Sequence, residues 1–376
     1  MTLDELTRAR VVRSVATVQP ARLPYSTFSL IGLLLVFFEL EMLFRLGDLD
    51  HSLSPTTLTL SALGGISRAA VLGRGEWWRL ATAPLLHGNL EHLLFNALAL
   101  FLVGSRLEQL IGARWMLAIF ALSAVCGGVV SMLVNPPNVV GIGASGGIVG
   151  LFAAALLVGR RLPKGKIRSA LMAQCTFGLV SAFLPFFSGS DSAGAMAIDY
   201  VGHLGGAIGG LAAGGLLIAL WDGSASPPQQ GLALGVAGAF TAAALFAILP
   251  IMSVYGEYQQ LAPDLPNDPA LFRNEAFDLA RSYPNDPRLL FEQGMVLMST
   301  LQLAPAEAKF RAALAQPAIL RDTLDPAVEN NMRGMLALAL YAQGKSDEAL
   351  STATPICDKV RSALAATLRK ATLCPT

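Results

Sequence analysis

Hydrophobic positions in this chain come in long blocks, neither alternating as in a half-buried strand nor confined to one narrow helical stripe. Runs near 27–45, 90–108, 114–134, 142–159, 167–187, 199–221 and 230–252 each approach the roughly 20 apolar residues that an α-helix needs to cross a bilayer. Gly, Pro and polar residues separate them. The pattern predicts an all-α, polytopic membrane protein with seven spans. It changes after about residue 253, where charge rises and "PDLPNDP" reads as a linker. Beyond it, apolar positions recur at helical spacing among charged ones, which predicts amphipathic helices of a water-exposed domain.

Composition sharpens this picture. Of 376 residues, 53% are hydrophobic and only 14% charged, whereas soluble domains carry about 25% charge. The formal charge of +1 singles out no partner, and no nucleic-acid partner is expected. Four cysteines without paired spacing give no metal motif, so neither metal nor cofactor is expected. Cys126 and Cys175 fall in apolar runs, whereas Cys357 and Cys374 could pair only in an oxidising compartment. The N-terminal "MTLDELTRARVVRSVATVQPARLP" lacks the apolar core and cleavage site of a signal peptide, so it is expected to stay on the mature chain.

Basic residues in short loops orient the spans. Arg8, Arg10, Arg13 and Arg22 precede the first, Arg106 and Arg114 flank the turn between the second and third, and "GRRLPKGKIR" follows the fourth. The loops "NPPNVVG" and "SGSDSAGAMA" contain no Lys or Arg. This places the N-terminus in the cytoplasm, residues 46–89 and both uncharged loops outside, and, with seven spans, the C-terminal region outside. The absence of a transit peptide points to a bacterial plasma membrane.

Three of the four histidines, His87, His92 and His203, fall at apparent membrane positions, where ionisable groups are costly and functional by default. In "HGNLEHLLFN" His92 and Asn96 share one helix face. Two donors there can stabilise an oxyanion, or simply glue neighbouring helices. In "GIGASGG" Ser145 opens a helix, where free backbone N–H groups favour anions. Gly146 and Gly150 equally suit close helix packing. In "YVGHLGGAIGGLAAG" Gly202, Gly206 and Gly210 form one stripe, and Gly205 and Gly209 another. If the first stripe packs on the helix of Ser145, His203 reaches the hydroxyl at the same outer depth. A serine needs such a base, so the reading is a Ser–His dyad. Asp199, one turn before His203, reads as a boundary residue near water rather than a third member. Glu39 and Glu41 read as reaching the outer interface.

Together these residues resemble the rhomboid family of intramembrane serine proteases over roughly residues 27–221. "GASG" (Gly143 to Gly146) matches the family's nucleophile motif. "GHLGGAIGG" matches the histidine motif with His203, Gly205, Gly206 and Gly209. "HGNLEHLLFN" matches the second-span pattern. "GSRLEQLIG" matches GxxxExxxG through Gly104, Glu108 and Gly112, and "WWRLATAPLLH" supplies Trp78 and Arg79. The resemblance implies Ser145 as nucleophile and His203 as general base. His92, Asn96 and the Ser145 N–H would form the oxyanion hole, supported by His87. Arg79, Arg106 and Glu108 would be structural, holding the external loop and the end of the second span. It implies cleavage of transmembrane segments of membrane proteins. A departure is Val149, where many bacterial members place a tyrosine stacked on the histidine. The competing classes are a catalytically inactive rhomboid-like protein that binds membrane clients, and a proton-using transporter, whose repeat symmetry is not evident.

The expected organisation is a cytoplasmic segment 1–25, a rhomboid core 26–222 of six helices, a linker and seventh transmembrane helix 223–253, and a helical domain 254–376. "PRLLFEQGMVLMSTLQLAPAEAKFRAALAQP" resembles a tetratricopeptide repeat, with Gly294, Leu297, Ala306, Phe310 and Ala313 at its small and large positions. A generic stack of helical hairpins fits as well. Such a domain would recruit a protein partner or serve only as a stabilising appendage.

Overall fold

The computed structural model describes residues 23–47, 53–136, 139–188, 198–221, 227–263, 265, 269–316, 326–360 and 363–375. Most of the expected cytoplasmic segment, the fourth histidine His51, most of the uncharged loop after residue 188 and much of the "PDLPNDP" linker lie outside the described residues. Among the described residues the chain is helical, apart from one isolated antiparallel bridge between Ile66 and Gly141. They fall into two compact units: those of Met1–Arg45, His51–Arg68 and Glu76–Ile251, and those of Leu46–Asp50, Ala69–Gly75 and Met252–Thr376.

The first unit holds α1 (Tyr25–Leu43), the short α2 (Thr57–Ala62) and α3 (Arg79–Thr82), then α4 (Leu90–Val134), α5 (Ser145–Arg161), α6 (Lys166–Ser188), α7 (Tyr200–Leu220) and α8 (Gln230–Phe246). α9 (Ile248–Tyr258) follows. Among the described residues, five helical stretches are long and apolar enough to cross a membrane: 25–43, 90–134, 166–184, 200–220 and 230–258. α1 shows why the sequence behaves this way. It buries Thr27, Leu30, Leu34, Phe38 and Glu41 along one stripe but exposes Leu33, Leu35 and Val36. A helix apolar on both faces has lipid as its second solvent.

The second and third apolar runs form one stretch of 45 residues, α4. An unbroken helix of that length would be about 68 Å long, twice the hydrocarbon thickness of about 30 Å. Gly112 interrupts it with φ 81° and ψ 159°, a conformation open to glycine and strained for other residues. The seventh run is also interrupted, at Ala247 between α8 and α9. Pro250 lies three residues on; it lacks an N–H, and its ring opposes the carbonyl of Phe246, the last residue of α8.

Around a core that includes Leu34, Leu100, Leu107, Ile119 and Leu151, α4, α5 and α7 meet along a glycine seam. A Cβ on Gly206 would lie 2.1 Å from the Gly146 carbonyl oxygen, and one on Gly210 would lie 2.0 Å from that of Gly150. The first stripe of α7 thus lies directly on the backbone of α5. The second stripe faces α4: a Cβ on Gly205 would meet the Cys126 carbonyl at 2.8 Å, and one on Gly209 the Ser123 Cα at 3.0 Å.

The second unit contains α10 (Pro269–Ser282), α11 (Pro287–Ser299), α12 (Leu303–Leu314), α13 (Pro326–Ala342), α14 (Ser346–Ala353) and α15 (Ala363–Lys370). Ala306, Phe310, Leu336, Leu340 and Ala349 share its main core, and Ala313 is buried beside Leu290 and Met332. Phe310 sits over Gly294, where a Cβ would come within 2.5 Å of its ring. Leu297 packs against the same core. Cys357 and Cys374 are joined by a disulfide, with Cα atoms 5.6 Å apart.

Candidate active site

Ser145 is the first residue of α5. Its approach is fixed by hydrogen bonds from outside the helix bundle. Arg79, 1% exposed, donates to Glu76 at 2.6 Å and to the carbonyls of Ser61 and Gly65 at 2.6 and 2.8 Å. Its guanidinium also lies 4.7 Å from the Trp78 ring. The next residue, Ile66, exchanges backbone hydrogen bonds of 2.9 and 2.7 Å with Gly141. The Gly143 N–H then donates to Ala83 at 2.9 Å. Gly143 has φ 105°, and a Cβ there would strike His92 at 2.8 Å. Glycine is thus required both by the backbone angle and by the imidazole above it.

His92 and Asn96 lie in the first turns of α4. Asn89 caps that helix by accepting the His92 N–H at 2.7 Å. Asn96 is buried, and its Nδ2 has no hydrogen-bond partner among the described residues. His87 is fully buried in the segment before α4, its ring 5.1 Å from that of His92. What holds His87 is Glu41, whose two carboxylate oxygens accept its backbone N–H at 3.0 and 3.2 Å. Glu39 is exposed, but Glu41 is fully buried and does not reach an interface as expected. An acidic residue within an apolar run is the signal that marked it. Glu76, three residues before Arg79, was legible as an i,i+3 pair.

His203 lies in the first turn of α7 and is 8% exposed. Its Nε2 stands 2.9 Å from Ser145 Oγ, and its Nδ1 stands 3.0 Å from the Ala182 carbonyl of α6. A carbonyl only accepts, so Nδ1 carries the proton and Nε2 presents its lone pair to the hydroxyl. Asp199 caps α7 instead, accepting from the Gly202 N–H at 2.9 Å and from Asn135 Nδ2 at 3.0 Å. Val149 is buried one turn beyond Ser145. Lining a cavity of about 40 Å³ beside the serine are Ser131, Gly141, Gly146, Asp199 and His203 among others.

The remaining motif residues lie elsewhere. Glu108 accepts from the Ser26 and Thr27 N–H groups at 3.0 and 2.8 Å and from Thr27 Oγ1 at 2.7 Å, neutralising the start of α1. A Cβ on Gly104 would meet Thr27 at 3.1 Å. Arg106 is exposed, and Gly112 forms the break in α4. Gly205 and Gly206 face α4 and α5 as described.

Residues 74–220 match the family model of the rhomboid domain. The chain is 32% identical over 235 residues to the rhomboid protease GluP of Bacillus subtilis, covering 62% of this chain and 40% of that protein. It is 40% identical over 87 residues to the putative rhomboid protease YdcA of the same organism, covering 23% of this chain and 44% of that one. It is also 33% identical over 138 residues to inactive RHOMBOID-like protein 8 of Arabidopsis thaliana, covering 36% and 39%. The matches thus span about two fifths of the length of these relatives. An all-helical integral membrane protein with these motifs is defined by its fold and site. Residues 74–220 thus carry a rhomboid domain, and the chain is similar over that region to rhomboid proteases.

Proposed function

We propose that this chain is an intramembrane serine endopeptidase that cleaves transmembrane segments of membrane proteins through a Ser145–His203 dyad. The observation that carries the reading is the 2.9 Å contact between Ser145 Oγ and His203 Nε2, in a neutral tautomer suited to accept the hydroxyl proton. Attack of Oγ on a peptide carbonyl passes that proton to Nε2. The developing oxyanion is held by the Ser145 N–H at the start of α5, by Asn96 and by His92. His203 returns the proton to the leaving amine, and water then hydrolyses the acyl-enzyme. A helical peptide bond is shielded by its own hydrogen bonds, so the substrate segment unwinds locally before attack. Labelling of the purified protein by a fluorophosphonate tests this: Ser145→Ala is expected to abolish it and His203→Ala to slow it by several orders of magnitude. Persistent labelling of Ser145→Ala would sink the nucleophile assignment.

A client-binding role without cleavage is favoured by one observation, the relative named as inactive. The paired Ser145 and His203 weigh against it. For the whole chain, the same reading puts the N-terminus in the cytoplasm of a bacterial cell and the helical region 254–376 outside. The joined Cys357 and Cys374 support this placement. There that region recruits substrates or partner proteins. Truncation after residue 256 is expected to slow cleavage of the native substrate while sparing fluorophosphonate labelling. Equal cleavage would reduce the region to an appendage, and resistance to protease added to intact spheroplasts would contradict its external position.

A further inference from the structure

A base that must meet a hydroxyl at 2.9 Å needs its ring held in plane as well as nearby. The residue one turn after Ser145 shares its helix face, but it is Val149, which has no ring to stack on an imidazole. His203 is nonetheless held on three sides. The Ala182 carbonyl takes Nδ1 at 3.0 Å. The Phe183 ring stands at 90° to the imidazole with centroids 6.1 Å apart. The Tyr200 ring stands at 89°, at 6.4 Å. Both are edge-to-face arrangements within the range where aromatic quadrupoles attract. They arrive independently, Phe183 from α6 and Tyr200 from the first residue of α7, three positions before His203 on the same face.

We infer that Phe183 and Tyr200 are positioning residues for the general base, an edge-on clamp that does the work an aromatic at position 149 would otherwise do. The inference rests on the reading of His203 as base. Because Ala182 and Phe183 are adjacent on α6, that helix is part of the mount of the base and not only a wall of the bundle.

The test uses the full-length protein in detergent, with a reporter transmembrane peptide and fluorophosphonate labelling as separate readouts. Phe183→Leu and Tyr200→Leu are each expected to lower kcat about tenfold to a hundredfold, since small displacements of reacting groups cost that much, with KM within twofold. Labelling should slow in parallel. Phe183→Tyr should recover most of the rate, and Val149→Tyr should partly rescue Phe183→Leu. Unchanged kcat in both leucine variants, or a raised KM with kcat intact, would overturn the clamp. Should a leucine variant not fold, Phe183→Met decides through the pH dependence of labelling: a displaced midpoint supports the clamp, and a parental profile overturns it. Ser145→Ala and His203→Ala run alongside. If His203→Ala labels at the parental rate, the reading of the site fails; if both are dead while the leucine variants match the parent, only the clamp fails.

Discussion

Asn96 carries the sharpest residue-scale consequence. Its Nδ2 is buried with no partner among the described residues, and leaving a buried donor unpaired costs roughly 1–3 kcal/mol. In the proposed mechanism that donor is free to meet charge that appears only during reaction. Asn96→Ala is therefore expected to lower kcat about a hundredfold and to leave KM nearly unchanged, measured on a reporter transmembrane peptide. Equal turnover would remove Asn96 from the oxyanion hole. Rarity makes such residues legible. A serine, three histidines and an asparagine stand out in apolar runs because each is expensive there. The supports are harder to read. The Ala182 carbonyl has no identity in a sequence, and Phe183 is one of 18 phenylalanines. Glu41 was visible, but reading it as an interface residue missed its partner, a backbone N–H contributed from a segment 46 positions away.

At the scale of elements, the seam between α5 and α7 holds Ser145 and His203 together. Apolar surface gives little drive to helix association in lipid, so contact depends on close packing. Gly210→Val would push a side chain into the Gly150 carbonyl, with no flexible group to yield. It is expected to cost about 3 kcal/mol, lower the unfolding midpoint in detergent and abolish labelling. Gly215→Val, on the same helix but with nothing within 4 Å, should do neither; matching behaviour of the two variants would refute the seam. The stripes were legible as spacing, whereas the partner of the first stripe stood only as a condition until the packing of α7 on α5 supplied it. The break within α4 was legible only as a gap between two apolar runs, because its cause is the backbone angle at Gly112.

At the scale of the whole molecule, the helices beyond residue 254 obey a different chemistry. Glu307 accepts from Lys345 at 2.6 Å, Gln343 at 2.8 Å and Arg311 at 2.9 Å. The hydrogen bond from the Lys345 ammonium, with those from Arg311 and Gln343, holds its carboxyl down from 4.5 to about 2. A carboxyl depressed in the folded state stabilises it above the unfolded value and loses that effect as pH falls through the folded one. Susceptibility of residues 303–353 to pepsin should therefore rise as pH drops from about 4.5 towards 2. Glu307→Gln should flatten that rise, and an identical pH profile in the variant would contradict the linkage. Repeat spacing revealed this region as helical, whereas the disulfide depended on a proximity that no spacing rule supplies.

The glycine seam has one more consequence, for handling outside the cell. A contact made of backbone against backbone contains no side chain that a detergent tail can replace and no apolar pocket it can invade. Transfer from bilayer to micelle should leave α5 and α7 in register. α6, little of whose apolar stretch is buried within the bundle, is as open to surfactant as the stretch 230–258. Loss of activity on solubilisation would then begin as a detuned base, reversible on return to lipid, well before the dyad itself comes apart.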